Sequence, residues 1–362
     1  MSGHIARFTT EGVTGAEITE YPVTTGDGLG LKLSRFHRAD CDDVVLLLHG
    51  LPASTDMFIM PEHTNLVSYL LDNGFTDVWS LDFRMSNRLP YCAETNRHTL
   101  DDIARYDHPA GLAELRRRVG EGKRVHVVAQ CLGAVSFSMS MAAGLTGDIA
   151  SFTSNSVSLV TRVPAWSRFK LRFGVPLTEY VWGLSVLDSR YGEASPLSRG
   201  GAFSRLVSLF HPECDVRACH MISFMWGAGR PGLWRHENLD PVTHHRVADL
   251  FGANGLHYYR HMRKMVEAGH AVTYDDEHPG LPSDYLEAAA KITTPMLLLT
   301  GDHNRVFEDS NIVCHRELDK AGPGLHELVI LPGYGHVDPF IGKNVHVDVF
   351  PHILRHLRRN TG

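Results

Sequence analysis

The 362-residue chain reads as an α/β protein with a mostly parallel central sheet, helices on both faces and an inserted, mainly helical segment. Three observations predict this. Short apolar runs closed by turn residues recur at Val44–Leu48, Val125–Ala129 and Met296–Thr300, the pattern of strands buried on both faces. Segments with apolar residues at helical spacing alternate with these runs, which implies parallel strands joined by crossover helices. Between about Ser158 and Pro282 the alternation lapses and afterwards resumes. One interrupted domain is therefore expected, with a core of 1–157 and 283–362 and a cap of 158–282.

In chain order, Val44–Leu48 ends at His49-Gly50, and a helix is expected from about Pro61 to Asn73, with Leu66, Tyr69 and Leu70 on one face and Gly74 as its stop. Asp77–Phe83 is the next strand. Thr99–Gly120 is the next helix, with Asp101 and Asp102 in its first turn, where carboxylates suit the helix dipole. The strand Val125–Ala129 runs directly into a second long helix. The 158–282 stretch carries little strand signal but many aromatic residues, among them Trp166, Phe169, Phe203, Phe224 and Trp226. After it come a helix near Leu286, the strand Met296–Thr300, a helix near Ser310, the strand Glu327–Leu331 and a closing helix from about Val345 to Arg358.

Composition excludes several classes. Hydrophobic residues at 43% and charged residues at 21% are globular values. The longest aliphatic run, Val44–Leu48, falls far short of the roughly 20 residues a membrane-spanning helix needs. A net charge of -6 without a basic cluster argues against a nucleic-acid partner. The first twenty residues lack an apolar secretory core and an Arg-rich transit character, so a cytoplasmic location is expected. The six cysteines show no repeated CxxC spacing, which indicates neither a disulfide framework nor a zinc ribbon.

Ala129-Gln130-Cys131-Leu132-Gly133 is the most informative segment, because it joins a buried strand to a helix. A nucleophile elbow holds its reactive side chain on a strained strand-to-helix turn and needs small residues two before and two after it. Ala129 and Gly133 meet that need. A thiol at this post is expected to have a lowered pKa, from the helix N-terminus and a nearby imidazole. Two oxyanion donors are expected, the N–H groups of Leu51, in the loop after Leu48-His49-Gly50, and of Leu132; Pro52 has no N–H. Chain order then asks for an acid and a histidine after two late strands. Asp302 and His336 stand there, with Asp309 and Asp338 as fallback acids and His326 as a fallback base.

On His49-Gly50, Cys131, Asp302 and His336, the chain resembles the α/β-hydrolase superfamily over roughly residues 40 to 150 and 285 to 355. Leu81-Asp82-Phe83-Arg84 and Gln130-Cys131-Leu132-Gly133 are similar to the hydrolase domains that accompany GMC-type oxidoreductases. Cys in place of Ser departs from lipases and carboxylesterases; dienelactone hydrolases and polyhydroxyalkanoate synthases are precedents for it. The resemblance implies a cofactor-free acyl hydrolase of an ester, lactone or thioester, working through a thioester on Cys131. Two alternatives stay open: an acyltransferase or cyclase passing the acyl group to an amine, alcohol or thiol, and a non-catalytic binding protein on this fold. The aromatic cap suggests a small, apolar acyl substrate. His211, Cys214, Cys219 and His220 cluster in the cap without a common zinc spacing, so no metal is expected. His236, His244 and His245 read as surface or core residues.

Overall fold

A computed structural model describes residues 9–93 and 98–362. Residues 1–8, part of the N-terminal stretch read above for a targeting signal, lie outside the described residues.

Eight strands form the main sheet: β1 (Glu17–Thr24), β2 (Gly30–His37), β3 (Asp43–Leu48), β4 (Asp77–Asp82), β5 (Arg124–Gln130), β6 (Ser151–Asn155) and, after a separate short antiparallel pair β7 (Val186–Asp188) and β8 (Ala253–Gly255), β9 (Met296–Gly301) and β10 (Glu327–Leu331). Their order is β1-β2-β4-β3-β5-β6-β9-β10. The strands from β4 to β10 run parallel, while β1 and β2 pair antiparallel at one edge. The apolar runs behave as expected: Val44 to Leu48 and Met296 to Leu299 are buried. The strand β6, Ser-Phe-Thr-Ser-Asn, carries no such run. Most of its buried polar side chains find partners, with Ser151 bonded to His126, Ser154 to the Val157 carbonyl and Asn155 to Ser156, while the Thr153 hydroxyl has none among the described residues.

The expected helices form, with shifted ends. Asn65 accepts from the Ser68 N–H as an N-cap, so the first begins at Leu66 and ends at Asp72, preceded by a 3-10 turn Thr55–Phe58. The second runs from Leu100 to Val119 with a π-helical turn, Ile103–Asp107, inside it. Thr99 and Asp102 form a capping box at its start. The expected closing helix is two, Val345–Asp348 and Phe350–Arg359. The helices Leu66–Asp72 and Phe350–Arg359 pack on each other through Tyr69 and Phe350, and Leu100–Val119 packs with Cys131–Ala142.

After β6 the chain leaves the sheet and returns as β9, which pairs directly with β6. Between them lie short helices, the β7–β8 pair and the helix Leu256–Ala268. This segment sits against the loops at the carboxyl ends of the strands. Asn87 donates to the carbonyls of Asp249 and Leu250, the Gly252 N–H to Pro52, and the Ala228 N–H to Arg305. Because β4 and β5 flank β3 on opposite sides, the chain reverses direction across the sheet at β3, the point where open α/β sheets place ligands.

Candidate active site

The adjacent strands β3 and β5 end level with each other, Leu48 opposite Ala129. Their following loops are therefore pressed together. Cys131, the first residue of the fully buried helix start, has φ of +52°, the left-handed region that residues with a Cβ avoid at a cost of about 1–3 kcal/mol. The crowding expected at Gly133 is real: a Cβ there would stand 2.1 Å from the His49 carbonyl oxygen. Gly50 is also crowded, since its Cβ would meet Gln130 Oε1 at 2.0 Å and Cys131 Cβ at 3.0 Å.

The N–H groups of Leu132 and Leu51 both lie near enough to the Cys131 sulfur to favour its thiolate. The two expected oxyanion donors thus converge on one point at the elbow. The thiol itself departs from expectation. Cys131 is only 6% exposed, and burial outweighs both N–H groups, pushing its pKa up to about 12. Among the described residues no cation offsets this, so the resting group is a thiol and not the expected thiolate.

Several residues hold the oxyanion loop. His49 is buried, its ring stacked on Phe83 at 4.1 Å between centroids, and its Nδ1 donates to the Gly50 carbonyl at 2.8 Å. Burial lowers its pKa, which keeps it neutral and suits a scaffold role. Asp82, at the end of β4, accepts from the Thr55 N–H, the Thr55 hydroxyl and Ser86.

His336 lies in the loop after β10 and is 1% exposed. Its backbone is fixed from two sides: its carbonyl accepts from Gln130, Asn155 and the Ser156 hydroxyl, and its N–H donates to Leu233 of the 158–282 segment at 2.8 Å. Its ring is oriented by Asn304, not by Asp302. Asn304 Oδ1 also accepts from the N–H groups of Val306 and Phe307, while its amide donates to the Ser156 carbonyl and to Thr300. With Oδ1 so placed, Nδ1–H of His336 donates to it at 3.2 Å, and Nε2 is left as the bare lone pair. Nε2 is buried without a hydrogen-bond partner. Burial pushes the imidazole pKa down to about 3.

The expectation for Asp302 is not met. Its side chain is 41% exposed and accepts from His303 Nδ1 at 2.6 Å and the Gly333 N–H at 2.8 Å. Burial is the largest single influence and opposes its ionisation, yet those two bonds and the charges of His303 and Arg235 together hold its carboxyl below the usual range. The fallback acids serve elsewhere: Asp309 pairs with Arg162, and buried Asp338 accepts from the N–H groups of Gly335 and Arg235 and from Asn238 beneath the His336 loop. His326 receives a bond from His315 through its carbonyl and does not enter the site. Sequence reasoning missed Asn304. The usable signal was the thiol, since Cys-His-Asn sets are a known variant of the nucleophile, base and orienter arrangement.

An apolar cavity of about 650 Å³ opens within the 158–282 segment, lined by Trp166, Leu177, Trp182, Phe203, Phe210 and Phe224 among others. A smaller pocket shares Lys170, Phe224 and Gly227 with it and reaches Phe307, whose ring lies 5.7 Å from that of His336. Lys170 is buried between the two, donating to the carbonyls of Phe224 and Gly227 at 2.6 Å, and burial lowers its pKa to about 7. In the same segment the cysteines group differently from expectation. Cys214 and Cys219 gather with His236 and His244, while His220 Nε2 lies beside the group, 3.4 Å from the Cys214 sulfur. His220 instead bonds the Cys214 carbonyl and Ser208, and His211 bonds Glu213.

The sheet order, the strained elbow and the solved structures below define an α/β-hydrolase fold. No protein-family profile matches the chain. It is 22% identical to human lipase member K over 383 residues, covering 92% of this chain and 86% of that protein. An esterase of Pyrococcus furiosus is similar with a TM-score of 0.54 at 16% identity, covering 99% of this chain and 97% of that one. A soluble variant of the Saccharomyces cerevisiae monoglyceride lipase, solved with a substrate analog, also gives 0.54, at 14% identity, covering 99% of this chain and 100% of that one. Among the described residues, no helix is long and apolar enough to cross a membrane.

Proposed function

We propose that the protein is an acyl hydrolase of the esterase and lipase kind that uses Cys131 as nucleophile, His336 as base and Asn304 as the orienter of the imidazole. The observation that carries this reading is the convergence of the Leu51 and Leu132 N–H groups on Cys131 Sγ at a residue held in positive φ. A substrate carbonyl oxygen entering that point takes over both donors. The thiol then passes its proton to Nε2 as Sγ bonds to the carbonyl carbon. The tetrahedral oxyanion collapses to a thioester as the imidazolium returns the proton to the leaving alcohol. Water, deprotonated by the same Nε2, releases the acid and restores the thiol.

Neutrality of the resting pair supports this order of events, because a thiol near 12 and an imidazole near 3 transfer the proton only as attack proceeds. A thiol ionises far more readily than a serine hydroxyl. A neutral amide then suffices to hold the ring, where a serine enzyme uses a carboxylate. The lipase and esterase names among the similar proteins favour an ester, and the aromatic cavity favours an apolar acyl chain. We read 158–282 as a cap whose exposed Trp166 and Phe210 line that cavity, with exposed Phe169 stacked on Trp166 and Phe173 packed on Phe169. Six unpaired cysteines suit the reducing cytoplasm expected from the sequence. The likeness to GMC-associated hydrolase domains adds no substrate.

Mass spectrometry after incubation with a series of p-nitrophenyl esters tests the reading. His336→Ala should accumulate an acyl adduct on the peptide containing Cys131, and Cys131→Ala should form none. An adduct on another residue, or turnover retained by Cys131→Ala, would refute it. Release of the acyl group to an added amine or thiol in preference to water would mark the enzyme as an acyltransferase.

A further inference from the structure

We propose that Cys214, Cys219, His236 and His244 form a structural zinc site that braces the 158–282 segment against the loop carrying His336. The proposal is independent of the reading of Cys131.

One ligand atom from each of the four residues lies within 4.8 Å of every other. Zinc with sulfur at about 2.3 Å and nitrogen at about 2.0 Å in a tetrahedron places neighbouring sulfur and nitrogen ligands about 3.5 Å apart. Cys219 Sγ and His236 Nε2 are 3.5 Å apart. His244 Nε2 is buried with no hydrogen-bond partner, as a nitrogen awaiting a metal would be. Two thiolates and two neutral imidazoles balance the charge of a divalent zinc, so the closed site costs no net buried charge. The donor set is soft, complete and without a position for water, which separates a structural site from a catalytic one.

The four ligands come from separate pieces of chain. Cys214 precedes the helix Arg217–Met225, Cys219 lies in it, His236 starts the 3-10 turn His236–Asn238, and His244 is the penultimate residue of the short helix Pro241–His245. Among the described residues a few hydrogen bonds join these pieces, such as that of the Gly232 N–H to the Ser223 hydroxyl, and a metal would add a direct link between the helix and the two histidines. Outer partners are also in place: His220 Nε2–H donates to the Cys214 carbonyl at 3.0 Å, with its Nδ1 bonded to Ser208.

The strap that contains His236 is the one that holds the His336 loop. The Leu233 carbonyl accepts from the N–H groups of His336 and Val337, the Arg235 N–H donates to Asp338, and Asn238 donates to the Gly333 carbonyl and Asp338. Fixing His236 to Cys219 therefore fixes the backbone support of the His336 loop.

The test is metal analysis of the full chain purified under reducing conditions, followed by reconstitution with zinc and with cobalt(II). One zinc per chain is expected, with cobalt giving the thiolate charge-transfer and tetrahedral visible bands. Cys214→Ser/Cys219→Ser should lose the zinc and the charge-transfer band, and His244→Asn should lower occupancy severalfold. His211→Asn, outside the cluster, should keep full occupancy. If the double variant fails to fold, the cobalt spectrum of the unmodified protein decides alone. A protein that takes up no zinc on reconstitution, a Cys214–Cys219 disulfide under reducing conditions, a different metal filling the site, or full occupancy in the folded double variant would each overturn the proposal.

Discussion

At the scale of single residues, the thiol at 131 and the amide at 304 belong together. Asn304→Ala removes the acceptor that fixes Nδ1–H, so kcat is expected to fall by about 10²-fold or more with KM little changed, whereas Asp302→Asn should stay within about twofold. Steady-state kinetics on both variants separates Asn304 from Asp302 as the orienter. The pH profile gives a second check. The imidazole pKa lies near 3, well below its usual 6.5. The base therefore stays neutral through the ordinary acid range, and activity is lost only as pH falls towards 3. Between about pH 5 and 8, kcat/KM on a neutral ester should show no inflection near 6.5. An inflection there would mean that the imidazole is far more solvated than its burial implies.

At the scale of elements, the elbow works because two loops share a space that admits no side chain. Gly133→Ala would drive a Cβ against the His49 carbonyl, which is backbone and cannot swing aside. We expect a loss of about 1–3 kcal/mol in stability, measured by urea denaturation, together with loss of activity as Leu132 and Leu51 are pushed apart. Gly50→Ala meets the end of the Gln130 side chain first, so part of the strain can be relieved there. The strand and helix segments were legible because buried parallel strands are apolar runs and amphipathic helices repeat every turn. Strand β6 was not, because Ser-Phe-Thr-Ser-Asn carries no apolar run, and its Ser151 is accommodated by His126 of the neighbouring strand. The helix at Leu66 starts later than its apolar spacing suggests because Asn65 caps it, a local signal that outranks periodicity.

At the scale of the whole molecule, burial of neutral histidines ties stability to pH. His108 and His336 both have pKa values pushed down by burial to about 3, while unfolding returns them to about 6.5. Their contribution is complete above 6.5 and is lost as pH falls towards 3, by about 1.4 kcal/mol per group per pH unit within that window. Asp107 and Asp338, which burial pushes up to about 6, act in the opposite sense between about 4 and 6. The useful comparison is therefore the slope of unfolding free energy between about pH 7 and 5. His108→Gln should make it shallower than in the unsubstituted chain, and an unchanged slope would show that His108 is not the group that charges on unfolding.

The sequence by itself determined the parallel sheet, the interruption between β6 and β9, the elbow at Cys131 with small neighbours, and the positions of Leu51, Leu132 and His336 at strand ends. All of these follow from local pattern, because a strand end and a strained turn are written in consecutive residues. Only the tertiary structure decided that Asn304 faces the imidazole while Asp302 turns to solvent, that the thiol is held neutral, and that Cys214 and Cys219 meet His236 and His244. Asp302 and Asn304 are two residues apart on one loop, and the choice between them is made by the N–H groups of Val306 and Phe307 and by the carbonyl of Ser156. Burial depth and partners drawn from distant segments set side-chain direction and charge, and neither is encoded in spacing along the chain.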